Sequence, residues 1–302
     1  MIEVLHPGAL TTIQDLGRTG YEQYGIPRSG PLDPFLARIA NRLVGNPRDA
    51  AVIEFALTGP SLRFVRECCI AITGPTLGCS VNGKPISLFC GFRISAGEIL
   101  DFQTMNGWFG YLAIGGGLQA EKILGSKSTY LAGKIGNRLQ KGETLHFGDS
   151  SGKCYAVKDT EAIISATNIV LILPGLHAEN FSEADRQILV SREYRISAQS
   201  NRMGIRLDGP QIGYLRIRRS VPTLAGTIQI NRSGQPMILG PEGPTTGGYP
   251  QIANLCAVAW TTLALSGPSH LIRFQWTTRR EARRMLQARE EWMESTKAFE
   301  LL

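Results

Sequence analysis

The chain has 302 residues, 43% of them apolar and 34 of them glycine, and carries a formal charge of +7. That length accommodates two domains with cores of their own, and no apolar run approaches the roughly 20 residues of a membrane-spanning helix, so a cytoplasmic protein without membrane contact is expected. The positive charge is not gathered into aromatic-interleaved clusters, which argues against nucleic acid as a partner. The six cysteines and four histidines follow neither a zinc pattern nor a disulfide framework, so buried free thiols and no metal are expected.

From the N-terminus, Ile2-Glu3-Val4-Leu5-His6 reads as a strand closed by a Pro7-Gly8 turn, not as the charged-then-apolar start of a secretory signal. Next comes Leu10-Thr11-Thr12-Ile13-Gln14-Asp15-Leu16-Gly17-Arg18, in which Gln14, Asp15 and Arg18 form a local polar cluster that either stiffens a loop or meets a ligand. The first helix is signalled by Asp33 as N-cap, Pro34 as first helical residue and Gly45 as stop, with Leu36, Ile39, Ala40 and Leu43 on its buried face. Beyond it, short stretches rich in β-branched and aromatic residues at 62–65, 69–73 and 108–114 are separated by close turn signals, the pattern of barrels and sandwiches. The run Gly78-Cys79-Ser80-Val81-Asn82-Gly83-Lys84 has the G-x-x-x-x-G-K spacing of a P-loop. Pro85, however, stands where Ser or Thr must hold Mg²⁺, and Asn82-Gly83 between apolar flanks predicts a hairpin instead. Leu124-Gly125-Ser126-Lys127-Ser128-Thr129-Tyr130 is a hydroxyl-rich turn, either architecture or site.

The polar stretch 148–153 marks the expected boundary between a β-rich subdomain over 1–150 and a barrel-forming subdomain over 151–302. In the second half a strand is expected at 168–173 and a short helix from Ser182 through Leu189. Arg216-Ile217-Arg218-Arg219 alternates like the solvent face of a strand. Gly226-Thr227-Ile228-Gln229 echoes Thr11-Thr12-Ile13-Gln14, as two related barrels would. Pro244-Thr245-Thr246-Gly247-Gly248-Tyr249-Pro250 combines backbone donors, two hydroxyls and two glycines, and is expected to curl into a nest for a carboxylate, phosphate or developing oxyanion. A final helix from about Thr278 to the C-terminus carries Met285, Trp292 and Phe299 seven apart, a stripe expected to pack on the protein's own body. No nucleophile–base spacing is present, so any chemistry runs through positioning and electrostatic stabilisation. No Met-Lys pair is present either, so a biotin, if one takes part, is carried by another chain.

The motifs TTIQDLGR, GIPRSGPLD, ANRLVGN, YLAIGGG, LGSKSTY, SNRMGIRLDG, GTIQ, GQP and TTGGYP, in this order, resemble the KipA-type family, also known as allophanate hydrolase subunit 2, the biotin-dependent carboxyltransferase family, or the C component of the ATP-dependent 5-oxoprolinase. The resemblance implies a mainly β fold of two cyclophilin-like barrel subdomains with a few helices, including a C-terminal one. It also implies a KipI-type partner. Its leading functional implication is a subunit of an ATP-dependent amide hydrolase that opens 5-oxoproline to glutamate together with KipI-type and LamB/YcsF-type proteins, ATP being used by the complex. The other implications are a biotin-dependent carboxyltransferase component acting on a urea-like acceptor and a KipA-type regulator that binds a KipI-type kinase inhibitor. Carried onto this chain, Arg202 and residues Thr245, Thr246, Gly247 and Gly248 would hold a small anionic or amide substrate. Asn201, Glu242 and Gln229 would orient amide and water, Glu242 and Gln229 in catalytic roles, with Tyr249, Gln14 and Arg18 as further substrate contacts. The chain departs from the family in having Glu242 for the commoner aspartate, Asn231 for proline, and a reduced glycine pattern at Gly133-Lys134-Ile135-Gly136-Asn137-Arg138.

Overall fold

The computed structural model describes residues 1–75, 78–164 and 167–302. It is mainly β and divides into two compact units that are not contiguous in sequence. The first comprises Met1–Arg18, Ser29–Ser165 and Trp292–Leu302, and the second Thr19–Arg28 and Ala166–Glu291. This division differs from a single break near residue 150 for a physical reason. The strand Tyr155–Val157 pairs antiparallel with Phe299–Leu301, so the chain on both sides of the expected linker stays with the first unit.

The first unit is built from a seven-stranded and a five-stranded sheet over one core, rather than from a single closed ring of strands. Ile2, Val4, Leu62, Phe64 and Leu100 from the larger sheet meet Ile53, Phe55, Ile70, Ile72, Leu112 and Ile114 from the smaller one. The strand Thr104–Ile114 is buried continuously from Gly107 onward because both its faces are covered. Leu112 and Ile114 enter the core between the sheets. On the adjacent positions the Tyr111 hydroxyl accepts from Asp33 N at 2.8 Å, at the entry of the helix Pro34–Leu43. That helix follows its sequence signals closely. Asp33 Oδ1 accepts from Phe35 N at 2.8 Å, Leu36, Ile39, Ala40 and Leu43 are fully buried, and Gly45 takes φ +71° just past the end. The residues of the P-loop-like spacing form a hairpin: Cys79–Val81 pairs with Lys84–Pro85, and Asn82 and Gly83 have φ of 48° and 78°, as a two-residue turn of this kind demands.

The second unit is a closed seven-stranded barrel. Ile169–Pro174 closes it by pairing in parallel with Leu271–Trp276 and antiparallel with Gln251–Leu255, and the ring continues through Thr227–Ile230, Pro236–Leu239, Gly204–Asp208 and Glu193–Ile196. Alternation fills the interior with Val170, Ile172, Ile205, Ile228, Ile230, Ile238, Ile272 and Phe274, all buried, and turns the intervening residues outward. Ser182 caps the helix Glu183–Ser191 by accepting from Asp185 N at 3.1 Å.

Three sequence expectations need correction. The terminal helix is Arg279–Glu294, opened by a capping box in which Thr278 Oγ1 accepts from Glu281 N and Glu281 Oε2 accepts from Thr278 N. It does not reach the C-terminus. Phe299 lies in a strand, where its ring sits 5.1 Å from that of Trp292, which in turn stacks 5.9 Å from Phe35. The apolar packing thus gathers in the last helical turn and the strand after it, within the first unit, and Met285 is only half-buried. The arginine run at 216–219 is not a strand, since residues 211–220 have no regular structure. The loop 244–250 does not curl into a nest. Neither Gly247 nor Gly248 has positive φ, and Thr246–Gly247 is extended and pairs antiparallel with Val221–Pro222.

The cysteines are free, and all but Cys90 are buried. Burial pushes the thiols of Cys68 and Cys154 up to about 12, which removes thiolate chemistry at neutral pH. Among the described residues no cluster of metal-ligating side chains occurs, and no helix is long and apolar enough to cross a membrane.

Candidate functional site

In the first unit, Gln14, Asp15 and Arg18 converge on the turn Ser126-Lys127-Ser128-Thr129. The Asp15 carboxylate accepts from Gly17 N at 2.9 Å, Lys127 N at 2.7 Å, Ser128 Oγ at 2.7 Å and the Ser126 hydroxyl. Burial alone would raise its pKa, but the hydrogen bonds from Ser126, Lys127, Ser128 and Gly17 outweigh that and hold it below the ordinary value. Arg18, 2% exposed, donates to Ser29 Oγ at 3.0 Å and to the Ser128 carbonyl. Gln14, fully buried, donates through Nε2 to Thr12 Oγ1 and to the Thr129 carbonyl, while its Oε1 has no partner. Lys127 Nζ is tied to the Leu118 carbonyl at 2.6 Å. The network fixes two distant loops against each other, and the buried Arg18 guanidinium serves that purpose through the protein's own oxygens.

In the second unit the residues singled out in the sequence fall into two groups. Arg202 and Glu242 form one of them. Both are buried, and Arg202 Nε donates to Glu242 Oε1 at 2.6 Å, while Glu242 N donates to the Arg202 carbonyl at 3.1 Å. Gly240 is required beside them, because a Cβ there would lie 2.1 Å from the Arg202 carbonyl oxygen. Asn201 holds the turn that presents Arg202: its Oδ1 accepts from Met203 N at 2.9 Å and from Gly204 N at 3.3 Å. The guanidinium therefore meets a carboxylate of its own chain, and the pair is charge-neutral.

The other group lies on the outer face of the barrel. Along Thr227–Ile230 the isoleucines point inward, so Gln229 points outward, yet it is only 2% exposed. A two-stranded flap covers it, Thr246–Gly247 paired with Val221–Pro222. Thr223 fastens the flap by donating through N to the Thr245 carbonyl at 3.0 Å and through Oγ1 to the Pro244 carbonyl. Gln251 fastens the other edge by donating to the Pro222 carbonyl at 2.9 Å. Gln251 N in turn donates to His177 Nδ1 at 3.2 Å; burial lowers the pKa of His177 and keeps that nitrogen able to accept. Beneath the flap Gln229 Nε2 has no hydrogen-bond partner, and a Cβ on Gly247 would come within 2.6 Å of it. A buried amide donor without an acceptor is costly in a folded protein, by about 1–3 kcal/mol, and an incoming oxygen, from water or a ligand, would relieve that cost. Thr245, Gly247 and Tyr249 are half-buried, while Thr246 and Gly248 are exposed on the flap.

The structure thus joins Arg202 to Glu242 and Gln229 to Gly247, and places Gln14 and Arg18 in the other unit. Sequence reasoning missed Thr223 and Gln251, the two flap fasteners. Gln251 directly follows the TTGGYP run and was the readable signal; Thr223, flanked by Pro222 and an exposed Leu224, had none.

The model of the carboxyltransferase domain, subdomain A and B, matches residues 24–276, and the chain belongs to that family. More particularly, it is similar to the 5-oxoprolinase C component of Escherichia coli, with 33% identity over 284 residues that cover 90% of this chain and 91% of that protein. It is also similar to urea amidolyase of Lachancea kluyveri, with 33% identity over 280 residues, 82% of this chain but 15% of that much longer protein. The crystal structure of the Kluyveromyces lactis urea carboxylase superposes with a TM-score of 0.86 at 28% identity, over 97% of this chain and 29% of that chain.

Proposed function

We propose that this chain is one subunit of an ATP-dependent 5-oxoprolinase that opens 5-oxoproline to glutamate together with a KipI-type and a LamB/YcsF-type protein. The observation that carries the reading is the near end-to-end similarity to the 5-oxoprolinase C component, whereas the urea amidolyase is matched over a small part of its length. A lactam resists attack because resonance between nitrogen and carbonyl removes electrophilic character. Its carbonyl oxygen gains charge as water adds, and donors already in place stabilise that charge without reorganisation. In this chain such a donor is Gln229 Nε2, buried and lacking an acceptor, under a Gly247 that offers no side chain to block approach. Glu242 holds Arg202 and so supports the turn leading into the flap, while Asn201 shapes the turn before it. Residues 78–84 form a two-residue hairpin and not a phosphate cradle, so they do not fit a P-loop nucleotide site for the ATP that the complex would use.

A second reading is a carboxyltransferase component that receives a carboxyl group from biotin borne by a partner. The family description and the superposition with urea carboxylase favour it. The test is glutamate release from 5-oxoproline by this chain with its partner subunits and ATP. The proposal expects ATP-dependent turnover from the assembly and none from the chain alone. Carboxyl transfer to urea without glutamate release would favour the second reading, and binding of the KipI-type protein without any turnover would favour a regulator.

A further inference from the structure

An anion beside the flap needs a positive charge, and the one expected from sequence, Arg202, is neutralised by Glu242. A different source lies next to the flap. Residues 211–220 run without regular structure directly into Val221–Pro222, the flap strand that pairs with Thr246–Gly247. This segment exposes Arg216, Arg218 and Arg219, and among the described residues none of the three makes an ion pair or hydrogen bond. The carboxylate bonded to the segment is Asp185, at its start, where it accepts from Gly213 N at 2.7 Å and from the Ser182 hydroxyl. Arg219 is followed by Ser220, whose Oγ lies 3.7 Å from where a Cβ of Gly248 would stand, so the arginines end at the exposed glycine of the flap. Gln229 Nε2, 2% exposed and without an acceptor, faces the neighbouring Gly247 from below.

We infer that the arginine segment 216–219 and the flap form an oxyanion-binding site, in which the arginines hold a carboxylate or phosphate group at the rim while Gln229, uncovered as the flap shifts, meets a second oxygen of the same molecule. The segment and the flap together carry three exposed guanidinium groups, the Ser220 hydroxyl beside Gly248 and the carboxamide N–H of Gln229. Unpaired arginines within about 8–10 Å of a site draw an anion through the screening of physiological salt, and their planar forks suit both carboxylate and phosphate. The inference rests on the proposed function for the identity of the small molecule, 5-oxoproline, but not for the existence of the site.

The test is calorimetric titration of the full-length chain, separately with 5-oxoproline and with inorganic pyrophosphate, at 20 and 200 mM salt. Binding of either, weakening with salt, is expected, and the tighter of the two tells whether the site is built for carboxylate or phosphate. The triple variant R216A/R218A/R219A is expected to bind at least tenfold more weakly, and R216K/R218K/R219K to recover part of the loss. The helix variant R279A/R280A/R283A, which removes three exposed arginines elsewhere, is expected to bind like the unaltered chain. The three arginines hold no other part of the fold through a polar contact, so thermal melting of the triple variant should match the unaltered chain. No binding of either probe, equal binding by the triple variant, or tighter binding of a single-stranded oligonucleotide than of both probes overturns the inference. Intact oxyanion binding with no glutamate release by the assembly would sink the proposed function and leave this site standing.

Discussion

Replacing Arg202 by alanine breaks its buried pair with Glu242 from one side. Glu242 is 6% exposed and accepts from Arg202 Nε at 2.6 Å, so the variant leaves a carboxylate in a dry position without its counter-ion. Breaking a buried pair from one side costs about 3–5 kcal/mol, whereas exchanging both partners for apolar groups of similar volume is close to neutral. Arg202→Ala is therefore expected to lower the urea midpoint by about 1.5–2.5 M at a slope of about 2 kcal/mol/M. The double variant R202M/E242L should return most of that loss. Glu242→Asp, one methylene shorter, cannot close the 2.6 Å contact without backbone movement and should fall between. Trp260 and Trp276 lie in the second unit and report its unfolding by fluorescence. An Arg202→Ala protein within about 0.5 kcal/mol of the original would refute the argument, since a buried pair broken from one side costs several times that. If that stable protein had also lost oxyanion binding, the guanidinium would belong to the ligand after all.

Gln229→Leu removes a buried donor that has no acceptor, so it should be neutral or stabilise the free chain by about 1 kcal/mol while abolishing turnover of the assembled enzyme; a clear loss of stability would mean the amide is satisfied within the protein. Gly247→Val places atoms against Gln229 and should lift the flap, read as faster amide hydrogen exchange at Val221 and Thr223. Deleting residues 295–302 removes the strand Phe299–Leu301 and the Phe299 ring from Trp292, a loss of about 2–4 kcal/mol seen as a lower melting temperature of the first unit. Because the Asp15 carboxyl is held below its ordinary value of 3.8, its contribution is complete above that pH and drains away as the pH falls through the lowered value. Acid titration of Asp15→Asn should accordingly show a flatter decline.

The elements whose cause is local were readable in the sequence. Asp33-Pro34 through Gly45 bounds a helix because cap, first turn and stop act within a few residues, and Asn82-Gly83 makes its turn through its own dihedral preferences. Arg202 and Glu242 were found as residues but not as a pair, since the intervening positions give no sign that the two meet. The loop 244–250 misled for a related reason. Its glycines would permit a nest, but pairing with Val221–Pro222 selects extended backbone, and that partner strand has two residues and no periodicity to detect. The stripe Met285, Trp292, Phe299 kept helical spacing across a helix end, so a period of seven was mistaken for one continuous element.

The pairing of Tyr155–Val157 with Phe299–Leu301 has a consequence for how the protein is made. During synthesis the first unit acquires most of its strands early, yet its last strand and the Trp292 and Phe299 rings leave the ribosome only after the whole barrel has been translated. At ordinary elongation rates that delay is on the order of ten seconds, far longer than the collapse of a small domain. Through that interval the Tyr155–Val157 edge and the Phe35 ring stand open on a nascent chain, and a chaperone that shields strand edges would raise the yield of active protein more than its purified stability.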